Sequence, residues 1–322
     1  MSRINNVNKE NWVQEKIFSL ALFTLFTSFT FSFAADTAVL LLAHGGSRRW
    51  DQEISKVQKV LARQGYAVEI ALGMADASSI EKALKKLEAK KPKRVVVVPL
   101  LVNSNSELYG QFQFVLGKSS EPAAAFVQGM RAAASAGRQI RSADGRGRAE
   151  GAPQHNRLDA RVIKTKLALE MTTALDDHPY VAQILLSRAM TLSRDPAKEA
   201  VVLISHGPYT DEAEPAWMDI ENRLAGQLAA LGGFAEVKAF DLRDDSPRAA
   251  RESCRREIRA YVRARSKEGK RILVLPHLIA INGIEKHIAK ALEGLFYKMS
   301  KEALLPHPLI AEWALSQVKS HE

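Results

Sequence analysis

The chain has 322 residues, 46% hydrophobic and 25% charged, a composition that can build a core and a length that suits two compact units of roughly 100–150 residues. Its single cysteine, Cys254, excludes an intrachain disulfide and a zinc cage built on several thiolates, so metal chemistry must rest mainly on nitrogen and oxygen donors. The formal charge of +10 suggests a nucleic-acid partner, but residues 131–166 alone hold nine Lys and Arg against three Asp and Glu, an excess of six.

At the N-terminus Arg3, Lys9 and Lys16 precede an apolar run over residues 17–33, followed by Ala34-Ala35-Asp36. The run is short for a membrane span, and Ser32 and Ala34 suit a signal-peptidase site, so residues 1–34 are expected to be a cleaved signal peptide. The expected location is outside the cytoplasm, in the periplasm, with no stable membrane span after cleavage.

Residues 38–43 (AVLLLA) form a continuous apolar run of strand length that ends at His44-Gly45-Gly46. Helical spacing follows over 50–62, a short strand over 68–72, a helix over 78–89 and a strong strand over 94–101 (RVVVVPLL). The polar turn Asn103-Ser104-Asn105-Ser106 then leads into a helix through Phe114. The basic stretch 131–166 is rich in Ala, Gly and Ser, lacks periodicity and reads as a solvated linker; nucleic acid is not an expected partner. Beyond it the order repeats. A strand over 200–205 (AVVLIS) ends at His206-Gly207, helices are expected over 216–230 and 247–265, strands over 235–240 and 271–279 (RILVLPHLI), and Asn282-Gly283 turns into a helix over 284–296.

The recurrence implies an internal duplication with a unit of about 90–100 residues. The halves are expected over 35–130 and 167–322. Strands that alternate with helices give parallel sheets covered on both faces, with ligands beyond the carboxyl ends of the strands. Both His-Gly pairs and both polar turns fall at those ends.

His44 and His206 each follow a buried strand and precede glycine, and packing alone gives no reason to place imidazole there twice. Gly283-Ile284-Glu285-Lys286-His287 adds a carboxylate and an imidazole, with Glu107 as counterpart in the first half. Imidazole and carboxylate together suit divalent Zn, Fe, Co or Ni. Glu285 and His287, two residues apart, cannot share one helix face, so only one of them is expected to touch a metal. His277 lies inside an apolar strand and reads as a core histidine.

The strand-His-Gly motif, followed by a Pro-containing strand with a second ligand in the next loop, resembles the class II tetrapyrrole chelatases. These include the sirohydrochlorin cobaltochelatases and ferrochelatases and the protoporphyrin ferrochelatases. The resemblance extends over nearly the whole chain beyond residue 34 apart from the linker, and includes Ala174-Leu175-Asp176-Asp177-His178-Pro179. It implies two tandem flavodoxin-like, chelatase-like α/β halves. It implies a metal ion and a tetrapyrrole as substrates, no nucleotide cofactor, and His206 or His44 as metal ligand or proton acceptor. The second half, which also carries Glu285 and His287, is favoured as the working one. Neither half has the Gly-x-His of the cobaltochelatases, so the resemblance points to the reaction class more than to one metal or macrocycle. Arg48, Arg49, Arg243 and Lys286 are candidate partners for the carboxylates of the macrocycle.

An exported haem, corrinoid or metal carrier on the same fold is the alternative. A histidine phosphatase would carry Arg before its histidine, where Ala43 and Ser205 stand, and a serine hydrolase would need a Gly-x-Ser-x-Gly elbow, which the chain lacks.

Overall fold

The computed structural model describes residues 36–135 and 161–322. The expected signal peptide and most of the basic stretch lie outside the described residues. Asp36–Glu322 is one compact unit.

The first half runs β1 (Thr37–Ala43), α1 (Arg48–Arg63), β2 (Ala67–Leu72), α2 (Ala77–Glu88), β3 (Arg94–Pro99), α3 (Glu107–Val115), α4 (Ala124–Ser135), β4 (Leu169–Met171) and α5 (Pro179–Leu192). The second runs β5 (Glu199–Ser205), α6 (Glu214–Gly232), β6 (Glu236–Asp241), α7 (Arg248–Lys267), β7 (Arg271–His277), α8 (Ile284–Ala291), β8 (Lys298–Met299) and α9 (Pro308–Lys319). Each half holds a four-stranded sheet, in the orders β2-β1-β3-β4 and β6-β5-β7-β8. Every pairing is parallel. The two-half α/β architecture expected from the repeat is present.

β1 and β5 are buried along their whole length, which is why they read as unbroken apolar runs. Successive side chains alternate between faces. Val39, Leu41, Val96 and Val98 enter a core shared with the second half, while Ala38, Leu40, Val95 and Val97 face a separate core under α2 and α3. The second sheet repeats the division, with Val201 and Leu203 in the shared core and Val202 and Ile204 under α8.

Three features depart from expectation. β4 lies on the far side of the basic stretch and yet pairs with β3, so residues 169–171, expected to open the second half, complete the first sheet. The stretch itself is less bare than its composition suggests: α4 extends to Ser135, and Ile163 is buried with its N–H on the carbonyl of Val115. The helix expected over 284–296 stops at Ala291, where Gly294, with φ of 78°, lets the chain turn back on Lys290 and Leu292.

The terminal helices α5 and α9 exchange between halves. α5 follows the first sheet but packs on α6 and β7, and α9 follows the second sheet but packs on α1 and β3. Each begins with His-Pro, and the histidine Nδ1 accepts the N–H two residues on: His178 from Tyr180 and His307 from Leu309. Burial lowers both imidazole pKa values, keeping the neutral, accepting form.

Trp313 on α9 is 1% exposed in the shared core. Trp313→Ala should cost about 3–5 kcal/mol in urea unfolding, against a change within ~0.5 kcal/mol for Phe296→Ala at a side chain that is 92% exposed.

Candidate functional site

β1 and β5 deliver His44 and His206 to one rim, where the charge of His206 is felt at His44. Each ring donates Nδ1–H to the carbonyl of the glycine that follows, His44 to Gly45 and His206 to Gly207 at 3.0 Å. That bond fixes the tautomer and directs the lone pair to Nε2 whenever the ring is neutral. Both glycines have positive φ, 76° and 84°, which a side chain would strain. Gly207 is also closely packed: a Cβ there would lie 2.8 Å from Cβ of Asp241.

Each histidine loop is tied to the other half. The N–H of Ser47, in the His44 loop, donates to Oδ1 of Asn282 at 3.1 Å, and Gly46 leaves no room for a Cβ against the same Asn282 side chain. In the reciprocal contact Glu107 Oε1 accepts from the N–H groups of Tyr209 at 2.7 Å and Thr210 at 3.4 Å, in the His206 loop. Asn103 and Asn105 reach the carbonyls of Trp217 and Ala216. Helix α4 lies alongside, with Gly129 against the Tyr209 ring.

The surroundings of the two imidazoles differ. His44 stacks on buried Trp50 with ring centroids 4.5 Å apart. Burial, together with the charge on His206, lowers its pKa to about 4 despite the Gly45 carbonyl. His206 is also penalised by burial, but its Nε2 lies 3.2 Å from Asp245 Oδ2. That bond, the charge of Asp245, the Gly207 carbonyl and the charge of Asp244 together raise it to about 9. Near neutral pH the rim therefore pairs a neutral imidazole with an imidazolium.

The other candidates are placed apart from this pair. His287 binds Asp244 through Nδ1, and Asp244 also receives Arg255 at 3.1 Å. Glu285 turns back onto its own helix start and accepts the N–H of Gly283 at 2.7 Å. Glu107 holds the 209–210 backbone and is not its counterpart. β3 and β7 begin at Arg94 and Arg271, and α3 and α8 are capped at Ser106 and Gly283, so Glu107 matches Ile284 and Glu285 matches Leu108. Among the described residues, no three of His44, Glu107, His206, Glu285 and His287 bring donor atoms within 4.8 Å of one another. Arg243 is 3% exposed and bound to Asp211 and Glu214, so it does not face a macrocycle; Arg48, Arg49 and Lys286 are exposed. His277 is buried as expected, paired with buried Glu221 at 2.9 Å.

The sequence reading missed Asp244 and Asp245, which tether His287 and His206 from the turn after β6. Arg243 anchors that turn in a left-handed conformation, φ 46°, and donates its N–H to the carbonyl of His206 at 2.7 Å. The signal was available: two acids just beyond the carboxyl end of a parallel strand. Two cavities of about 340 and 220 Å³, beside Lys118 and Lys164 and beside Lys82 and Lys86, include no histidine.

A histidine NMR titration should show His44 neutral down to about pH 4 and His206 charged up to about pH 9. Asp245→Asn should bring His206 down toward ~6.5. The linked stability has opposite signs. His44 removes stability as pH falls from ~6.5 through about 4, because the unfolded chain takes up the proton first, and His206 removes it as pH rises from ~6.5 through about 9.

Residues 38–106, the span that carries His44, match the CbiX family model. Over 88% of this chain and 94% of that one, the fold is similar to that of SirB from Bacillus subtilis with Fe3+, at 15% identity and a TM-score of 0.55. A structure of CbiX, the terminal enzyme for biosynthesis of siroheme in denitrifying bacteria, aligns over 88% of this chain and 98% of that one at 14% identity and a TM-score of 0.48. No curated protein matches the sequence. Part of the first half thus matches the CbiX family model, and the two-sheet fold of the whole chain is similar to that of a solved chelatase-type structure, SirB.

Proposed function

We propose that this chain inserts a divalent metal ion, cobalt or iron, into a tetrapyrrole such as sirohydrochlorin outside the cytoplasm. The observation that carries the reading is the juxtaposition of two strand-end imidazoles, each with Nδ1 held by a glycine carbonyl, of which His44 keeps Nε2 for ligand or proton while His206 is held as an imidazolium by Asp245. The Fe3+ of the SirB structure supports iron as one substrate, and the apolar run over 17–33 supports export.

Insertion exchanges two pyrrolic protons for one divalent ion, so the site needs a lone pair near the ring nitrogens. His44 supplies it. Its ring is neutral over the physiological range, whereas Nε2 of His206 is engaged by Asp245. We therefore assign His44 as metal ligand or proton acceptor, although the sequence favours the second half. His206, as an imidazolium, faces the carboxylates of the macrocycle together with exposed Arg48 and Arg49. Glu285 and His287 are left to shape the rim beside them.

The test is the absorbance of sirohydrochlorin, and separately of a porphyrin, on addition of cobalt, iron, nickel or zinc. His44→Ala should lower kcat by ~10²–10⁴-fold, while His206→Ala should act mainly on KM. Tight binding of the metallated product with no acceleration over buffer would replace the enzyme with an exported carrier. For the wild-type chain kcat/KM should plateau between limbs near pH 4 and pH 9, and Asp245→Asn should move only the upper limb downward.

A further inference from the structure

Behind the His206 loop lies a second group of donors that the insertion reading does not use. Glu214, at the start of α6, Asp241, at the end of β6, and Cys254, on α7, bring one donor atom each within 4.8 Å of the others. Among the described residues they are the only three of His, Cys, Asp and Glu that do so. Asp241 is 5% exposed; its Oδ1 accepts the Cys254 thiol at 3.4 Å, and its Oδ2 is buried without a hydrogen-bond partner. A buried carboxylate oxygen without a donor is costly in a folded protein and is suited to a cation as its partner.

We infer that Glu214, Asp241 and Cys254 form a binding site for one divalent transition-metal ion, separate from the His44–His206 pair. The charges support a divalent ion. Two carboxylates and a thiolate carry three negative charges, while the one nearby guanidinium, Arg243, is shared between Glu214 at 2.8 Å and Asp211 at 2.6 Å. The excess of negative charge favours a divalent over a monovalent cation. A thiolate among carboxylates selects zinc, cobalt or iron over magnesium or calcium. A coordinating thiol must be deprotonated, so metal entry releases the Cys254 proton. Entry is open from the Glu214 side, whose side chain is 38% exposed. The site abuts the catalytic loop: a Cβ on Gly207 would lie 3.0 Å from Asp241 Oδ2.

Because Cys254 is the only cysteine, it is the only possible source of thiolate-to-cobalt charge-transfer absorption. Titration of the purified chain with cobalt(II) chloride should produce that near-ultraviolet band at one equivalent. It should persist in the His44→Ala, His206→Ala double variant and vanish in Cys254→Ser. Asp241→Asn and Glu214→Gln, checked for folding by circular dichroism, should each weaken cobalt affinity at least ~10-fold, since a direct ligand should cost no less than an outer-shell partner. Cobalt binding without the band, or a band indifferent to Asp241→Asn and Glu214→Gln, would overturn the site. The readout does not involve insertion, so it stands or falls separately from the chelatase reading.

Discussion

The contact on which the site depends is the reciprocal anchoring of the two histidine loops, Ser47 on Asn282 and the 209–210 amides on Glu107. A loop after a parallel strand has no ladder to hold it, and its amides need partners from elsewhere. Here the partners come from the opposite half. The position of each imidazole is thus set by a residue more than a hundred positions away, and the shared core beneath both loops keeps the two strand ends from separating.

Within that symmetric frame the charges are not symmetric. Trp50 lies against His44, and Asp245 lies against His206. Duplication provides two equivalent rings; the next side chain outward gives them different protonation states. One ring can then offer a lone pair while the other carries a positive charge, without a change of backbone.

Much of the fold is legible in the sequence because β1, β3, β5 and β7 are buried on both faces, and their apolar runs end at His-Gly or at a Pro-containing strand end. What stays hidden has physical causes. β4 and β8 are two or three residues long, too short to show a period. α5 and α9 lie between the halves and are apolar on more than one side, so they lack a polar stripe. At the site, His44 and His206 stand out because their type and spacing recur. Asp244 and Asp245 have no repeat to mark them, and Glu107 and Glu285 are both acids at a helix start, a place where carboxylates are favoured for backbone reasons.

The exchange of α5 and α9 bears on how such a chain could arise. A single half, as a free polypeptide, would leave the inner face of its sheet uncovered and its own last helix without a seat. Two copies would complete each other by trading those helices, with two histidine loops brought to one rim by the symmetry of the pair. Joining the copies in one chain keeps that geometry and removes the requirement that the two loops be identical. A tryptophan beside one histidine and an aspartate beside the other is a difference that two copies of one identical chain could not hold.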